Sequence, residues 1–203
     1  MSFIAKGPLA AVIIFGAAGI SAYAQPAGNA AVSPAGQTAA SKVDRETAYR
    51  KLAEGERLMF SASRQRSQAE MTAMNAQAKQ AFLKAIEADP ALAEAYTALA
   101  ELTLTTSGNV AEAIAYAEKG VAASSNNFGS RRILARLYTF RSGLNSPNPN
   151  AQEMAKAVQN WEALTKLDPR NAEAWAFLAA FYEKLGKRTE QIAALKSWMS
   201  SAP

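Results

Sequence analysis

The stretch SRRILARLY sets two arginines, Arg132 and Arg136, four residues apart. On a helix that spacing points both guanidinium groups the same way. Two planar forks side by side suit a carboxylate or an acidic segment, which they grip through paired hydrogen bonds. This is a binding chemistry, and little in the rest of the chain adds a catalytic one. There is no histidine and no cysteine. Their absence removes a Cys nucleophile, a His general base, disulfides and Cys/His metal sites. Asp, Glu, Lys and Tyr remain as acid–base groups, but no Ser-x-x-Lys, Gly-x-Ser-x-Gly, Walker-type or Rossmann-type pattern gathers them. The chain is therefore expected to be no enzyme and to need no cofactor or metal. Its formal net charge is +5, and the acidic residues are interspersed with the basic ones. That pattern reads as a mixed, solvated surface rather than a nucleic-acid footprint.

The elements that position the arginines come from an internal repeat. ADPALAEAY (Ala88 to Tyr96) and LDPRNAEAW (Leu167 to Trp175) are near copies. Helix-ending residues recur at Pro90, Ser125, Pro169 and Pro203, in steps of 35, 44 and 34. A small residue opens a second helix at Ala78, Ala113 and Ala157, with Gln191 in the same place in the last copy, and these steps are again 35, 44 and 34. Leu99, Leu134 and Leu178 mark the first helices. Agreement between independent landmarks is the signature of a repeat architecture. The single long step comes from SGLNSPNPNAQ, Ser142 to Gln152, a turn-rich insertion. Each copy holds two segments of helical periodicity. Gly186 is placed to end a helix in a left-handed conformation. Asn109 with Glu112 resembles a capping box, and Pro90 and Pro169 sit where a missing N–H costs little.

These residues together resemble the tetratricopeptide repeat family. The fourth copy matches best, through Ala172, Trp175, Leu178, Ala179, Tyr182, Gly186 and Pro203. The second carries Tyr96, Leu99, Ala100, Gly108, Ala113 and Ala115, with Thr103 where an aromatic is usual. The third carries Leu134, Ala135, Tyr138, Ala157, Trp161 and Pro169, with Arg131 in place of the first aromatic. In the first copy Ala78, Phe82, Ala85, Ile86 and Pro90 fit a second helix. The first helix, roughly Asp44 to Ser63, fits loosely through Leu52, Gly55 and Leu58, and a polar stretch from Arg64 to Asn75 lengthens the connection. The resemblance implies an all-α, right-handed solenoid of about four helix pairs, spanning 44–203 with repeats near 44–92, 93–127, 128–171 and 172–203. One pair cannot bury its apolar face alone, so neighbours must stack, and nearly all the aromatics are expected in that core.

Ahead of the array lies MSFIAKGPLAAVIIFGAAGISAYAQ. Lys6 precedes an apolar run from Leu9 to Ile20, and Ala22-Tyr23-Ala24 follows. This is the order of a secretory signal peptide over 1–24, with cleavage expected after Ala24. The run is shorter than the ~20 residues that span a bilayer. The periplasm or secretion is the expected location, with an N-terminal anchor in the inner membrane as the alternative. Residues 25–43, uncharged through Ser41 and rich in Ala, Pro and Gly, read as a flexible tether.

In the resemblance, the first helices line a concave groove that takes a peptide or a helix of another protein. The residues left over by the packing pattern are Glu94, Thr97, Glu101 and Thr105 in the second copy, and Arg132, Arg136 and Thr139 in the third. In the fourth they are Glu173, Ala176, Ala180 and Glu183. Some family members hold a C-terminal carboxylate there with Lys, Asn and Arg, but the matching asparagines are missing here. Either the two arginines hold an acidic segment of a partner, or they pair with Glu94 and Glu101 of the preceding copy and brace the stack. The insertion is a second candidate site. A third is the last helix, where Ile192, Leu195, Trp198 and Met199 leave an apolar strip of the kind that marks interfaces, including one between two copies of the chain. Two functions are carried forward. One is a non-catalytic scaffold of the bacterial cell envelope. The other is the N-terminal recognition part of a larger exported protein, such as an enzyme.

Overall fold

The computed structural model describes residues 35–201, with side chains from Asp44 onward. The expected signal peptide and the start of the tether lie outside the described residues. Eight helices follow one another: α1 (Ala35–Ala62), α2 (Gln68–Ala88), α3 (Ala93–Ser107), α4 (Val110–Ala123), α5 (Phe128–Ser142), α6 (Ala151–Leu167), α7 (Ala172–Lys184) and α8 (Arg188–Ser201). No strand occurs among the described residues. They pack as four hairpins, α1/α2, α3/α4, α5/α6 and α7/α8, each stacked on the next.

Local chemistry places the ends. Asn109, Asn127, Asn150 and Asn171 sit just before α4, α5, α6 and α7, and each side chain accepts from a backbone N–H in the first turn. Each cap satisfies a donor the helix itself cannot pair. Gly108, Gly143 and Gly186 follow α3, α5 and α7 with φ of 64°, 58° and 68°, a region that costs a side-chain-bearing residue energy. The Asp-Pro turns are closed by the aspartates. Asp89 Oδ1 accepts from the Ala91 N–H at 2.9 Å, and Asp168 Oδ1 from the Arg170 N–H at 3.0 Å. That is the physical content of the two near-identical stretches.

Three sequence expectations need correction. Ala78, Ala113 and Ala157 do not open the second helices, which start at Gln68, Val110 and Ala151. All three lie within them and are fully buried, so their small size serves close helix approach. The stretch from Arg64 to Asn75 is not a long connection either. Ser67 Oγ accepts from the Glu70 N–H, and α2 runs from Gln68, leaving a short turn. Last, α1 begins at Ala35, inside the span assigned to the tether. Once the prolines are passed, that alanine-rich segment favours helix.

The stack is held by contacts that recur from copy to copy. Tyr138 on α5 donates to Glu118 on α4, and Tyr182 on α7 donates to Glu162 on α6 at 2.8 Å. Burial, followed by the neighbouring carboxylate, pushes both phenols up, so neither ionises in the ordinary range. Trp161 on α6 is fully buried and stacks on Phe177 of α7, with ring centroids 4.7 Å apart. Within the first hairpin, Gly55 of α1 lies directly against the ring of Phe82, itself fully buried. A methyl at Gly55 would overlap that ring. Overpacking costs about 1–3 kcal/mol, more than the ~1 kcal/mol that alanine gains over glycine in a helix. Gly55→Ala is therefore expected to lower the unfolding free energy by about 1 kcal/mol, read in a urea melt. Ala53→Gly, on the exposed side of the same helix, is expected to lose about the propensity difference alone.

Candidate functional site

The direction of curvature follows from which helices meet. α1 touches α3 and α3 touches α5 along the backbone, whereas no second helix does so with the second helix of a neighbouring pair. The first helices therefore converge on the inner face. The approach of α5 to α3 depends on Gly129, where an added Cβ would come within 2.8 Å of Thr97 Cγ2. The backbones of α5 and α7, in contrast, stay apart.

The two arginines span that wider gap. Arg132 Nε lies 3.1 Å from Glu173 Oε2, and Arg136 Nη2 lies 2.7 Å from Glu173 Oε1. One carboxylate of α7 thus takes both guanidinium groups of α5. The bracing partners expected from the sequence, Glu94 and Glu101, are not the ones used. The arginines reach forward to the next copy, because there the first helices are separated and a long side chain is needed to join them. Burial alone would raise the Glu173 carboxyl. The hydrogen bonds and charges of Arg136 and Arg132 outweigh it and hold the group below its usual range. Stability from a depressed carboxylate is present above its unfolded pKa and is lost as pH falls through the folded one. Both arginines are about half exposed, so the clamp is screened by solvent. Glu173→Gln is expected to cost about 0.5–1 kcal/mol at neutral pH, and the difference from the parent is expected to shrink as pH falls through the ordinary carboxylate range and to vanish below the depressed folded pKa of Glu173, which melts across a pH series will show.

The other residues singled out on the inner face divide into two sets. Thr97 is half-buried. Its Oγ1 lies 2.6 Å from Ser130 Oγ and donates to Asn127 Oδ1 at 3.1 Å, tying α3 to the start of α5. Thr139 accepts from Trp161 Nε1 at 2.9 Å and so belongs to the α5–α6 seam. Ala176 and Ala180 are half-buried. Glu94 and Glu101 are exposed. Together with Glu56, Met59, Thr97, Ala98, Asn127 and Gly129 they line a pocket of about 310 Å³ built by α1, α3 and α5. Glu94 accepts from Asn127 Nδ2 at 3.2 Å, while Glu56 and Glu101 take part in no ion pair among the described residues. Desolvation raises the Glu101 carboxyl, with Glu56 adding to the rise and Arg132 opposing it.

The insertion is folded back on the α5/α6 hairpin. The Asn150 N–H donates to Ser142 O at 2.8 Å, closing the loop, and Lys184 Nζ of α7 donates to Ser146 O at 3.0 Å. Beneath it, Arg141 pairs with the buried Glu153 at 2.8 Å. On α8, Ile192, Leu195, Trp198 and Met199 are all exposed. A cleft of about 600 Å³ between the first two hairpins, lined by Met59, Met71, Thr72, Lys79, Leu102 and Glu112 among others, was not foreseen. It exists because α2 starts early. Ser67-x-x-Glu70, a capping-box spacing, is the signal that would have found it.

Among the described residues no helix is long and apolar enough to cross a membrane, and no cluster suited to a metal ion occurs. No family model matches the chain. No curated protein matches it. Solved structures do. The crystal structure of MamA superposes with a TM-score of 0.52 at 18% identity, over 72% of this chain and 77% of that one. A thermophilic TPR protein of Thermus thermophilus, TTC0263, is similar at a TM-score of 0.47 and 19% identity, over 72% and 73% of the two chains. With the repeat landmarks and the four stacked hairpins, the fold is that of a tetratricopeptide-type α-solenoid.

Proposed function

We propose that the chain is a non-catalytic scaffold that binds a segment of another protein on its inner face, in the bacterial envelope to which its N-terminal sequence addresses it. The observation that carries this reading is the pocket formed by α1, α3 and α5. Three first helices supply its walls, and exposed carboxylates lead into it.

The chemistry of that pocket changes the partner first expected. An acidic segment is one of the two readings the sequence leaves open, and it needs two free guanidinium groups. Arg132 and Arg136 are both engaged by Glu173, so an acidic segment competes with a carboxylate already in place. Glu56, Glu94 and Glu101 present the opposite charge. A segment bearing Lys or Arg gains charge-assisted hydrogen bonds there. It also relieves the repulsion between Glu56 and Glu101. Rim carboxylates of this kind act mainly on partner choice and association rate.

The test is a screen of short lysine-containing and glutamate-containing peptides against the full chain, beside Glu56→Gln/Glu101→Gln and Arg132→Glu/Arg136→Glu. Lysine-containing peptides are expected to bind. The glutamine pair is expected to weaken them by roughly tenfold, the ~1.4 kcal/mol of a lost charged hydrogen bond. Glu101 has a raised pKa, so its ionisation opposes folding as pH rises. Glu101→Gln is accordingly expected to melt higher than the parent at neutral pH while binding less. Binding of acidic peptides alone, abolished in a folded Arg132→Glu/Arg136→Glu variant, would falsify the basic-segment reading and return the site to the arginines.

A further inference from the structure

The exposed strip on α8 has counterparts in every other second helix, and these identify what kind of surface it is. Steps of 34, 44 and 35 residues back from Leu195 reach Trp161, Ala117 and Phe82. The same steps from Trp198 reach Leu164, Gly120 and Ala85. All six are buried. Phe82 lies against Gly55 of its own pair, and at two others the cover comes from the next pair. Trp161 stacks on Phe177 of α7, and a Cβ on Gly120 would collide with Ser130 of α5. Both belong to the first helix of the following pair. Leu195 and Trp198 therefore occupy the stacking face of the repeat, yet they are 37% and 44% exposed.

The opposite end of the stack does not offer the complementary surface. Gly55 is taken as the counterpart of Ala100 and Ala179, the small residues of α3 and α7. The positions that face the preceding pair are then Ala95, Leu99 and Leu102 in α3, and Ala174, Leu178 and Phe181 in α7, all buried. In α1 the same places hold Arg50, Glu54 and Arg57, with Glu54 paired to Lys51 at 2.6 Å. Seating that face on α8 would strip water from two arginines and an ion pair without returning partners, which is costly. Head-to-tail stacking of copies is thus disfavoured by the charge of α1.

The strip itself is self-complementary. Ile192, Leu195 and Trp198 are spaced three and three, so an antiparallel copy of α8 centred on Leu195 sets Ile192 of each chain against Trp198 of the other. A shared patch contacting itself is the geometry of a two-fold interface, and tryptophan is a frequent energetic anchor of interfaces. We propose that α8 packs against α8 of a second copy about a two-fold axis through Leu195. This is independent of the inner-face reading, since the first helices stay open in the dimer.

The absence of cysteine makes the test direct. Leu195→Cys in the full chain is expected to give a disulfide-linked dimer, because only a residue on the axis meets itself within the ~4.4–6.8 Å Cα spacing a disulfide spans. Leu195→Glu, at a half-exposed position, is expected to keep parental helicity by circular dichroism and to halve the mass in sedimentation equilibrium. A monomeric parent chain overturns the proposal. So does a dimer whose mass Leu195→Glu leaves unchanged. A mixture of Leu195→Cys and Arg50→Cys chains that cross-links only between the two positions overturns it in favour of head-to-tail stacking.

Discussion

Everything in this molecule depends on one burial. A hairpin of two short helices has an apolar face that it cannot cover by itself, and the first helix of the next hairpin covers it. Trp161 against Phe177 and Gly120 against Ser130 are two contacts of that kind, at different positions of the second helix and with different volumes. A large residue on one side meets a ring that stacks on it, and a glycine lets a serine-bearing helix come close. The recurring Tyr–Glu hydrogen bonds, Tyr138 to Glu118 and Tyr182 to Glu162, then set the register of one hairpin on the other. The second copy has Thr103 at this position, and its hydroxyl turns back to the Leu99 carbonyl of its own helix at 2.8 Å. The interface above α2 lacks the Tyr–Glu link and has instead an ion pair, Lys79 of α2 with Glu112 of α4 at 3.2 Å.

Curvature is a consequence of the same rule. First helices are drawn together where small residues allow it, as at Gly129 against Thr97, and are spaced where they do not. Between α5 and α7 the ion pairs of Glu173 with Arg132 and Arg136 cross a gap where the two backbones stay apart. Such half-exposed pairs add little to stability. Their larger effect is on what the inner face offers to a partner. They offset half the charge of its most basic pair, while the carboxylates of Glu56 and Glu101 on α1 and α3 stay without an ion pair among the described residues. The inner face thus changes character along its length, from acidic around α1 and α3 to partly compensated basic charge at α5 and α7.

The repeat was legible because its landmarks are properties of single residues. Proline cannot continue a helix, glycine can turn left-handed, and asparagine caps; Pro90, Gly186 and Asn109 do so wherever the chain places them. Small residues also read correctly as packing positions, though Ala78, Ala113 and Ala157 lie within helices rather than at their starts. The Ser67–Glu70 cap is hard to see because the polar residues after it outweigh a two-residue signal. That one cap decides both the true length of α2 and the cleft it builds with Met71 and Leu102.

The sequence by itself determined the glycine and Asp-Pro stops of the helices, their pairing into hairpins and the apolar character of α8, since each follows from side-chain chemistry within a turn or two of backbone; the starts of α1 and α2 it did not. It also placed Arg132 and Arg136 on one face of one helix. Only the tertiary structure decided which carboxylate meets them. Glu94, Glu101 and Glu173 are chemically identical, and all three sit on first helices. What separates them is the spacing of α3, α5 and α7 in the stack, which is the sum of many small packing volumes and is written in no single residue.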